Sequence, residues 1–266
     1  MKPKTGPLTK ALIFIAFIAL AAPVVGAETI VDARFAVPVD RYGHFALGRP
    51  HEYARLTVTT STGRRLVLQL PEEDVFEDLQ PRLVRLAAGE PEEILAIVSR
   101  RDSGSRLALI RLSDDGLAIS AQSAAIGTPM RWLNPVGVAD LDGDGHAEIA
   151  AVITPHIGGM LKVYRRRGRE LVEIAALAGF SNHVYGSPEL GLSAVMSIAG
   201  RMRMLVPDAT RLHLRIIALE NGRLVATAWC ALSAPISGAI QPISPREISV
   251  GTRAGQQVIV PGDCLK

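Results

Sequence analysis

The chain has 266 residues, of which 48% are hydrophobic, 5% aromatic and 21% charged. This composition excludes a collagen-like chain, a disordered tail and a membrane protein with several spans. The formal net charge is +3, but three of the 29 basic residues lie among the first ten positions. Without them, 26 basic residues stand against 26 acidic ones, so the charge gives no reason to expect a nucleic-acid partner.

The first 27 residues have the three-part layout of a secretory signal peptide. Residues 1–10 are cationic and residues 11–22 are continuously apolar. Val25 and Ala27 suit the positions before a signal-peptidase site, so we predict cleavage between Ala27 and Glu28. An uncleaved anchor is the alternative, but the apolar run barely spans hydrocarbon. We therefore expect a periplasmic or secreted monomer that keeps no stable membrane anchor after cleavage.

The predicted mature chain, residues 28–266, has a length suited to a single all-β domain. Its two cysteines are Cys230 and Cys264. In an oxidising compartment an even pair is typical of a disulfide, and two buried free thiols are the alternative.

Short β-rich runs separated by glycine-containing turns predict antiparallel hairpins. Three central segments each contain four such runs, which are residues 83–86, 93–98, 107–112 and 117–121, then 136–139, 148–154, 160–165 and 171–177, then 193–198, 203–206, 212–219 and 224–228. The corresponding third turns contain Gly116, Gly168 and Gly222, which are 52 and 54 residues apart. A period near fifty residues predicts a repeat architecture.

Both ends of the mature chain contain an incomplete unit. The predicted strands are 42–47, 53–59 and 65–70 at one end and 236–240, 247–251 and 257–260 at the other, with an unpaired run at 30–37. Joining that run to the C-terminal unit would close a ring and remove its open edge. We therefore predict a β-propeller of about five four-stranded blades, since a blade of this type takes roughly 50 residues. The predicted units are 42–80, 82–126, 130–178, 190–232 and 236–264 plus 30–37. A disulfide between Cys230 and Cys264 would join the closing unit to the unit before it.

An acidic loop follows the run 136–139. It carries Asp140, Asp142, Asp144 and Glu148, with the carbonyl of His146 as a further oxygen. Calcium takes six to eight hard oxygen ligands, and alternating Asp residues in a tight turn can converge on one centre. The helix-loop-helix calcium site is excluded because its twelfth position, which requires Glu, is Ala151 here and both flanks are strand-like.

The stretch VGVADLDGDGHAEIAAVI followed by GGMLKVYRR resembles the FG-GAP or VCBS-type repeats, the calcium-loop blades of integrin alpha-chain propellers and of many exported bacterial proteins. The resemblance implies a β-propeller with calcium in the first hairpin loop of a blade. Its ligands would be the four carboxylates and the His146 carbonyl. The family more often has Asp at the ninth position, where this chain has Glu148.

The other units have lost the acidic loop. In the preceding unit Arg85, Ala87 and Gly89 replace the three Asp residues, and Glu93 aligns with Glu148. We therefore predict one calcium ion. A structural role is the main interpretation, with ligand bridging or catalysis as alternatives.

The connection 179–189 is polar and aromatic, and Asn182, His183 and Tyr185 form a possible ligand loop. Such residues also serve the backbone bonds of a Gly- and Pro-rich crossover. The scattered residues His44, His51, His156 and His213 form no recognisable nucleophile motif. The basic turn at 165–169 favours a solvated hairpin over an anion site.

The sequence predicts a non-enzymatic binding or scaffold module whose partner is an unknown protein or a glycan. A hydrolase acting on phosphate esters or glycans and a carbohydrate-binding lectin are the alternatives, because propellers host all three. The hydrolase would require a second cluster of perturbed acids or histidines near His183. The lectin would need exposed aromatic platforms.

Overall fold

The computed structural model describes Met1 and residues 28–265. Strands make up 56% of the structure, and the described residues contain no α-helix. The predicted all-β class is therefore confirmed. Apart from Met1, the predicted signal peptide lies outside the described residues. No helix among the described elements is long and apolar enough to cross a membrane.

The strands form five consecutive units. They are β1 (Ile30–Pro38), β2 (Tyr53–Thr60) and β3 (Arg65–Gln69) in the first unit; β4 (Asp74–Phe76), β5 (Arg82–Val84), β6 (Glu93–Arg100), β7 (Gly104–Ser113) and β8 (Gly116–Ser123) in the second; β9 (Leu133–Ala139), β10 (Glu148–Ile153), β11 (Met160–Arg167) and β12 (Glu170–Ala178) in the third; β13 (Ala194–Ile198), β14 (Arg201–Pro207), β15 (His213–Glu220) and β16 (Arg223–Ala231) in the fourth; and β17 (Ile236–Pro242), β18 (Ile248–Thr252) and β19 (Gly255–Ile259) in the fifth. Each predicted strand of the three central units corresponds to an observed strand.

Strand pairing links the first three units into one sheet of 12 strands, and the fourth and fifth units form separate sheets of four and three strands. Within each unit the neighbouring strands are antiparallel. A short parallel pairing of β8 with β12 joins the second unit to the third. The turn glycines lie at the start of the last strand of their units, with Gly116 as the first residue of β8 and with Gly168 and Gly222 just before β12 and β16. All three have positive φ angles, which glycine adopts without steric cost.

The run 30–37 does not join the C-terminal unit. It lies in β1, which pairs with β2 of the first unit, and no strand pairing among the described residues closes a ring. The ring centroids of Phe35 and Phe76 are 4.9 Å apart, and those of Phe35 and Tyr53 are 5.9 Å apart. The pairing with β2 and the contact with Tyr53 hold β1 in the first unit, and Phe76 adds a contact with the second unit, so the predicted joining of the two ends is wrong at this strand.

Residues 42–47, predicted as a strand, form a loop. The Glu52 carboxylate accepts the backbone N–H groups of Gly43, His44 and Phe45 at 3.0–3.2 Å. Gly43 and Phe45 also have positive φ angles, which a strand does not allow. The backbone donors of this segment are thus satisfied by a buried carboxylate and not by a neighbouring strand.

Four hydrophobic clusters lie between the five consecutive units. Successive strand residues face opposite sides, so Ile94 packs between the first and second units whereas Leu95 packs between the second and third. In the same way Met204 and Leu205 pack on opposite faces of the fourth unit. The middle units therefore bury both faces of their sheets.

The first unit differs from the middle units because it has a polar outer face. Leu56 and Val58 of β2 are buried, whereas the alternating Arg55 is exposed and Thr57 and Thr59 are half-buried. A polar outer face is typical of the terminal units of repeat proteins, because it ends the stack without exposing apolar surface.

Neighbouring units approach closely at their first strands. A Cβ at Gly137 in β9 would lie 2.6 Å from Val195 Cγ2 in β13, and one at Gly191, in the segment before β13, would lie 2.9 Å from Ala239 Cβ in β17. Glycine at these two positions lets the third, fourth and fifth units pack side by side.

Cys230 and Cys264 form the predicted disulfide, with their Cα atoms 5.0 Å apart. The bridge joins β16 to the segment after β19, so it links the fourth and fifth units. Backbone bonds between Trp229 and Leu265 support the same junction at 2.8 and 3.1 Å. A stable disulfide is typical of proteins that fold outside the reducing cytoplasm.

Replacing both cysteines, by Cys230→Ala with Cys264→Ala, should lower the free energy of unfolding by about 2–4 kcal/mol, because the bridge restricts the unfolded chain. Urea unfolding of the variant and of the oxidised parent protein measures the difference. An unchanged unfolding midpoint would show that the junction does not depend on the bridge.

Candidate functional site

The acidic loop connects β9 to β10 in the third unit. Carboxylate oxygens of Asp140, Asp142 and Glu148 lie within 4.8 Å of one another. Glu148 is fully buried at the first position of β10. The structure thus brings three of the five predicted ligands into one group.

Asp140 organises the turn itself. Its carboxylate accepts the backbone N–H groups of Gly143, Asp144 and Gly145 at 2.7–3.1 Å. Gly143 and Gly145 have φ angles of 86° and 89°, which favour glycine. The loop is therefore wrapped around one carboxylate by its own backbone.

Arg165 of β11 is the cation that the loop contacts. Its guanidinium lies 2.6 Å from Asp142, 3.2 Å from Asp144 and 2.5 Å from Glu148. Burial raises the pKa of Glu148, while a backbone N–H group from Leu141 and the guanidinium of Arg165 oppose that effect. Among the described residues, Arg165 is the one guanidinium within 4 Å of the four carboxylates of this loop, and Arg201 lines the same pocket as Asp142 and Asp144 without pairing with them. The group therefore carries an excess of negative charge.

The other two predicted ligands are placed differently. Asp144 contacts Arg165 and also accepts the backbone N–H of His146 at 2.9 Å. The backbone of His146 forms an isolated bridge with Ala87 of the preceding unit. Its imidazole Nδ1 is 3.6 Å from Asp144, on the exposed surface.

The prediction of a solvated basic turn missed the role of two arginines. Arg165 binds the buried Glu148, and Arg166 reaches Glu93 of the second unit at 2.5 Å. The register of the hairpin could have shown the first contact, since Ile149 pairs with Tyr164 and the next position brings Glu148 opposite Arg165.

A second polar cluster lies beyond the other end of β10, about 20 Å away along a strand of six residues. His156 Nε2 lies 2.7 Å from His183 Nδ1, and His183 Nε2 lies 2.9 Å from the Ser187 carbonyl. The His156 ring is parallel to Trp132, with centroids 6.0 Å apart. His183 is fully buried, and His156 is half-buried.

The bonding pattern fixes the tautomers of both histidines. A carbonyl only accepts, so His183 Nε2 carries the hydrogen and His183 Nδ1 carries the lone pair. His156 Nε2 then donates to that lone pair, which leaves His156 Nδ1 as a free acceptor. Burial and the neighbouring His183 lower the pKa of His156 to about 3. Burial lowers the pKa of His183 to about 4, so both rings are neutral at pH 7.

His44 joins this cluster from the first unit. Its Nδ1 lies 2.9 Å from the carboxylate of Glu77, which also accepts the Ser99 hydroxyl at 2.7 Å and the Ala46 N–H at 3.3 Å. Glu77 is fully buried, and burial raises its pKa against these bonds. A neutral His44 that donates from Nδ1 to the Glu77 carboxylate has its lone pair at Nε2.

The predicted ligand loop divides into buried and exposed positions. Asn182 is fully buried, and its amide group donates to the Asn134 carbonyl at 3.2 Å and to Ser193 at 2.9 Å. Tyr185 is 57% exposed, and its hydroxyl donates to the His44 carbonyl at 2.5 Å. The centroid of its ring is 5.8 Å from that of His44 and 5.2 Å from that of His156. Sequence reasoning identified Tyr185 and His183 but not their contacts with His44 and His156.

Comparison of the sequence with protein-family models and with curated proteins gives no match.

The neutral histidines predict a pH-dependent stability. Between about pH 4 and 6.5 the unfolded chain binds protons on His156 and His183 that the folded protein does not bind. The free energy of unfolding should therefore fall as the pH is lowered through this range, by up to about 1.4 kcal/mol per pH unit for each histidine. Urea unfolding at several pH values measures the slope.

His156→Gln tests this assignment, because its amide can still donate toward His183 but does not titrate. This variant should show a smaller slope than the parent protein. His213→Gln is the matched control, since His213 lies outside the cluster and pairs with Asp208. An equal slope in the parent protein and in His156→Gln would contradict the buried neutral state of His156.

Proposed function

We propose that this chain is an exported calcium-stabilised β-propeller that acts as a non-enzymatic binding or scaffold module, with a protein or a glycan as its partner. One observation carries the proposal. Three loops meet beyond one end of β10, where the imidazoles of His44 and His156 both contact the exposed ring of Tyr185 and are each held by a hydrogen bond. Ligand-binding sites typically combine an aromatic surface with a few hydrogen-bonding groups held in fixed positions.

The stacking of the units supports a propeller-like arrangement. Five consecutive antiparallel units pack face to face through four apolar clusters. The close approach of Gly137 to Val195 brings the first strands β9 and β13 beside one another, and Gly191, in the segment before β13, approaches Ala239 in β17. First strands lie at the centre of a propeller, so this adjacency agrees with blades arranged about an axis.

The disulfide supports export. Cys230 and Cys264 are paired, which agrees with an oxidising compartment. The cationic and apolar leader with a cleavage site after Ala27 predicts the route. The proposed location is therefore the periplasm or the outside of the cell.

The donor set supports calcium in the acidic loop. Asp140, Asp142 and Glu148 offer hard carboxylate oxygens within 4.8 Å of one another, the ligand type that calcium prefers. Asp144 and the carbonyl of His146 complete the proposed set. When bound, the ion would supply positive charge that holds the loop, whereas Arg165 neutralises only part of the acidic group.

A hydrolase is the second candidate because of one observation. His44 is oriented by the buried carboxylate of Glu77 and keeps a free Nε2, an arrangement that suits a general base. The phosphate-ester and glycan substrates suggested by the sequence remain the classes to test.

Calcium at about 1 mM, the upper range for extracellular sites, should raise the free energy of unfolding by about 1–3 kcal/mol relative to excess chelator. Asp142→Ala should remove this gain because it deletes a ligand. Thermal and urea unfolding of residues 28–266 measure both effects. Additive losses from the variant and the chelator would contradict a single site.

The variant Arg165→Gln distinguishes stabilisation of the loop by calcium from stabilisation by Arg165. Without calcium this variant should be less stable by about 1–3 kcal/mol, because it leaves the buried Glu148 without its charged partner. Its gain from calcium should exceed that of the parent protein, since a competing cation is gone. Arg166→Gln is the matched control, because it deprives Glu93 of a similar partner in a unit that lacks the acidic loop. An equal calcium response in all three proteins would argue against the site.

If the protein is a binding module and not a hydrolase, replacing His44 should not change any rate of hydrolysis. Rates with p-nitrophenyl phosphate and with p-nitrophenyl glucoside should be equal for the parent protein, His44→Gln and Glu77→Gln. Circular dichroism establishes whether each variant is folded. A rate that falls in both folded variants would favour the hydrolase instead.

A further inference from the structure

We propose that Tyr185, His44 and His156 form a binding site for a neutral hydroxyl-bearing ring, the chemistry of a sugar unit in a glycan. This inference rests on the proposed binding function and names the ligand class of its recognition end. The three residues belong to three different loops, at 40–52, 154–159 and 179–193.

Tyr185 supplies the platform. Its side chain is 57% exposed, although its hydroxyl is fixed by donation to the His44 carbonyl. Both neighbouring imidazoles meet the tyrosine ring edge-on. The backbone N–H of Gly186 also donates to the Ala46 carbonyl at 2.8 Å, which ties the two loops together. The ring is thus held in place with a surface open to solvent, so little side-chain freedom is lost when a ligand stacks on it.

The two imidazoles supply acceptors of fixed position. Glu77 holds a hydrogen on His44 Nδ1, and His183 takes the hydrogen of His156 Nε2. In the neutral rings His44 Nε2 and His156 Nδ1 therefore carry lone pairs, and both imidazoles contact the ring of Tyr185. A ligand with hydroxyl donors around an apolar ring satisfies both features at once, since the ring packs on the aromatic side chain and the hydroxyl groups bond to nitrogen.

The local charges favour a neutral ligand over an ion. The imidazoles of His156 and His183 are uncharged at pH 7, so they do not attract an anion. The carboxylate of Glu77 is already bonded to His44, Ala46 and Ser99 and lies out of contact with solvent. Arg211, which donates to the His183 carbonyl at 3.3 Å, opposes a cation and attracts an anion, so inorganic phosphate is the charged ligand that the test must exclude.

The test uses protein-observed NMR of the tyrosine and histidine rings in residues 28–266 at pH 7. Glucose, galactose, mannose, fucose and N-acetylglucosamine are the neutral probes. Butylammonium and inorganic phosphate are the charged probes. At least one sugar should shift the Tyr185 and His156 signals in a saturable way, with a Kd of about 1–10 mM. The charged probes should leave both signals unchanged.

Variants locate the binding. Tyr185→Ala should weaken the best sugar by about tenfold through loss of the platform. His156→Phe should weaken it as well, because it keeps a ring but removes the acceptor. His213→Gln, outside the cluster, should bind like the parent protein. The calcium response should persist in Tyr185→Ala, so failure of this site is distinguishable from failure of the calcium-stabilised module.

Three results would overturn the inference. One is the absence of saturable binding by any of the five sugars. Another is binding of butylammonium or phosphate at Tyr185 without binding of a sugar, which would assign the site to a charged ligand. The third is an unchanged affinity in Tyr185→Ala, which would place the sugar elsewhere.

Discussion

The structure depends on the packing of each small sheet against the next. A sheet of three or four strands cannot bury a two-sided apolar core alone, and β6 shows the consequence because nearly every residue in it is buried. Ile94 requires the first unit and Leu95 requires the third. The loops at the strand ends are thus held in position by neighbouring units, which is why one cluster can draw His44, His156 and Tyr185 from distant parts of the chain.

The same alternation explains how two adjacent arginines serve two different units. Arg165 and Arg166 lie on opposite faces of β11, so one meets Glu148 in its own unit and the other meets Glu93 in the preceding unit. Each guanidinium offsets the charge of a buried carboxylate. Only the third unit adds Asp140, Asp142 and Asp144 to such a pair, and a single arginine cannot balance that group. The excess charge, more than the spacing of the loop, is the physical argument for a further cation.

Local patterns predicted much of the fold, and long-range contacts account for what they missed. A turn glycine such as Gly168 and the alternation of side chains along a strand are determined by residues close together in the sequence. The strands of the central units could therefore be predicted from the sequence. The pairing of Cys230 with Cys264 was predictable because there are only two cysteines. The loop at 42–47 was missed because its conformation depends on the carboxylate of Glu52. The Glu77–His44 contact likewise joins residues 33 positions apart whose meeting depends on how the units stack.

The two ends of β10 differ in the charge of the groups beside them. One end carries a dense group of charges, and the other carries the neutral imidazoles of His156 and His183, with the His183 tautomer set by the Ser187 carbonyl. Their separation of about 20 Å along the strand limits the Coulomb interaction between two unit charges at the two ends to about 1 kcal/mol at an effective dielectric constant of about 20, and the imidazoles of His156 and His183 are uncharged. An ion there would influence the recognition end through the packing of the third unit rather than through its electric field. A structural ion and a neutral-ligand site can therefore coexist in one unit without competing for the same charges.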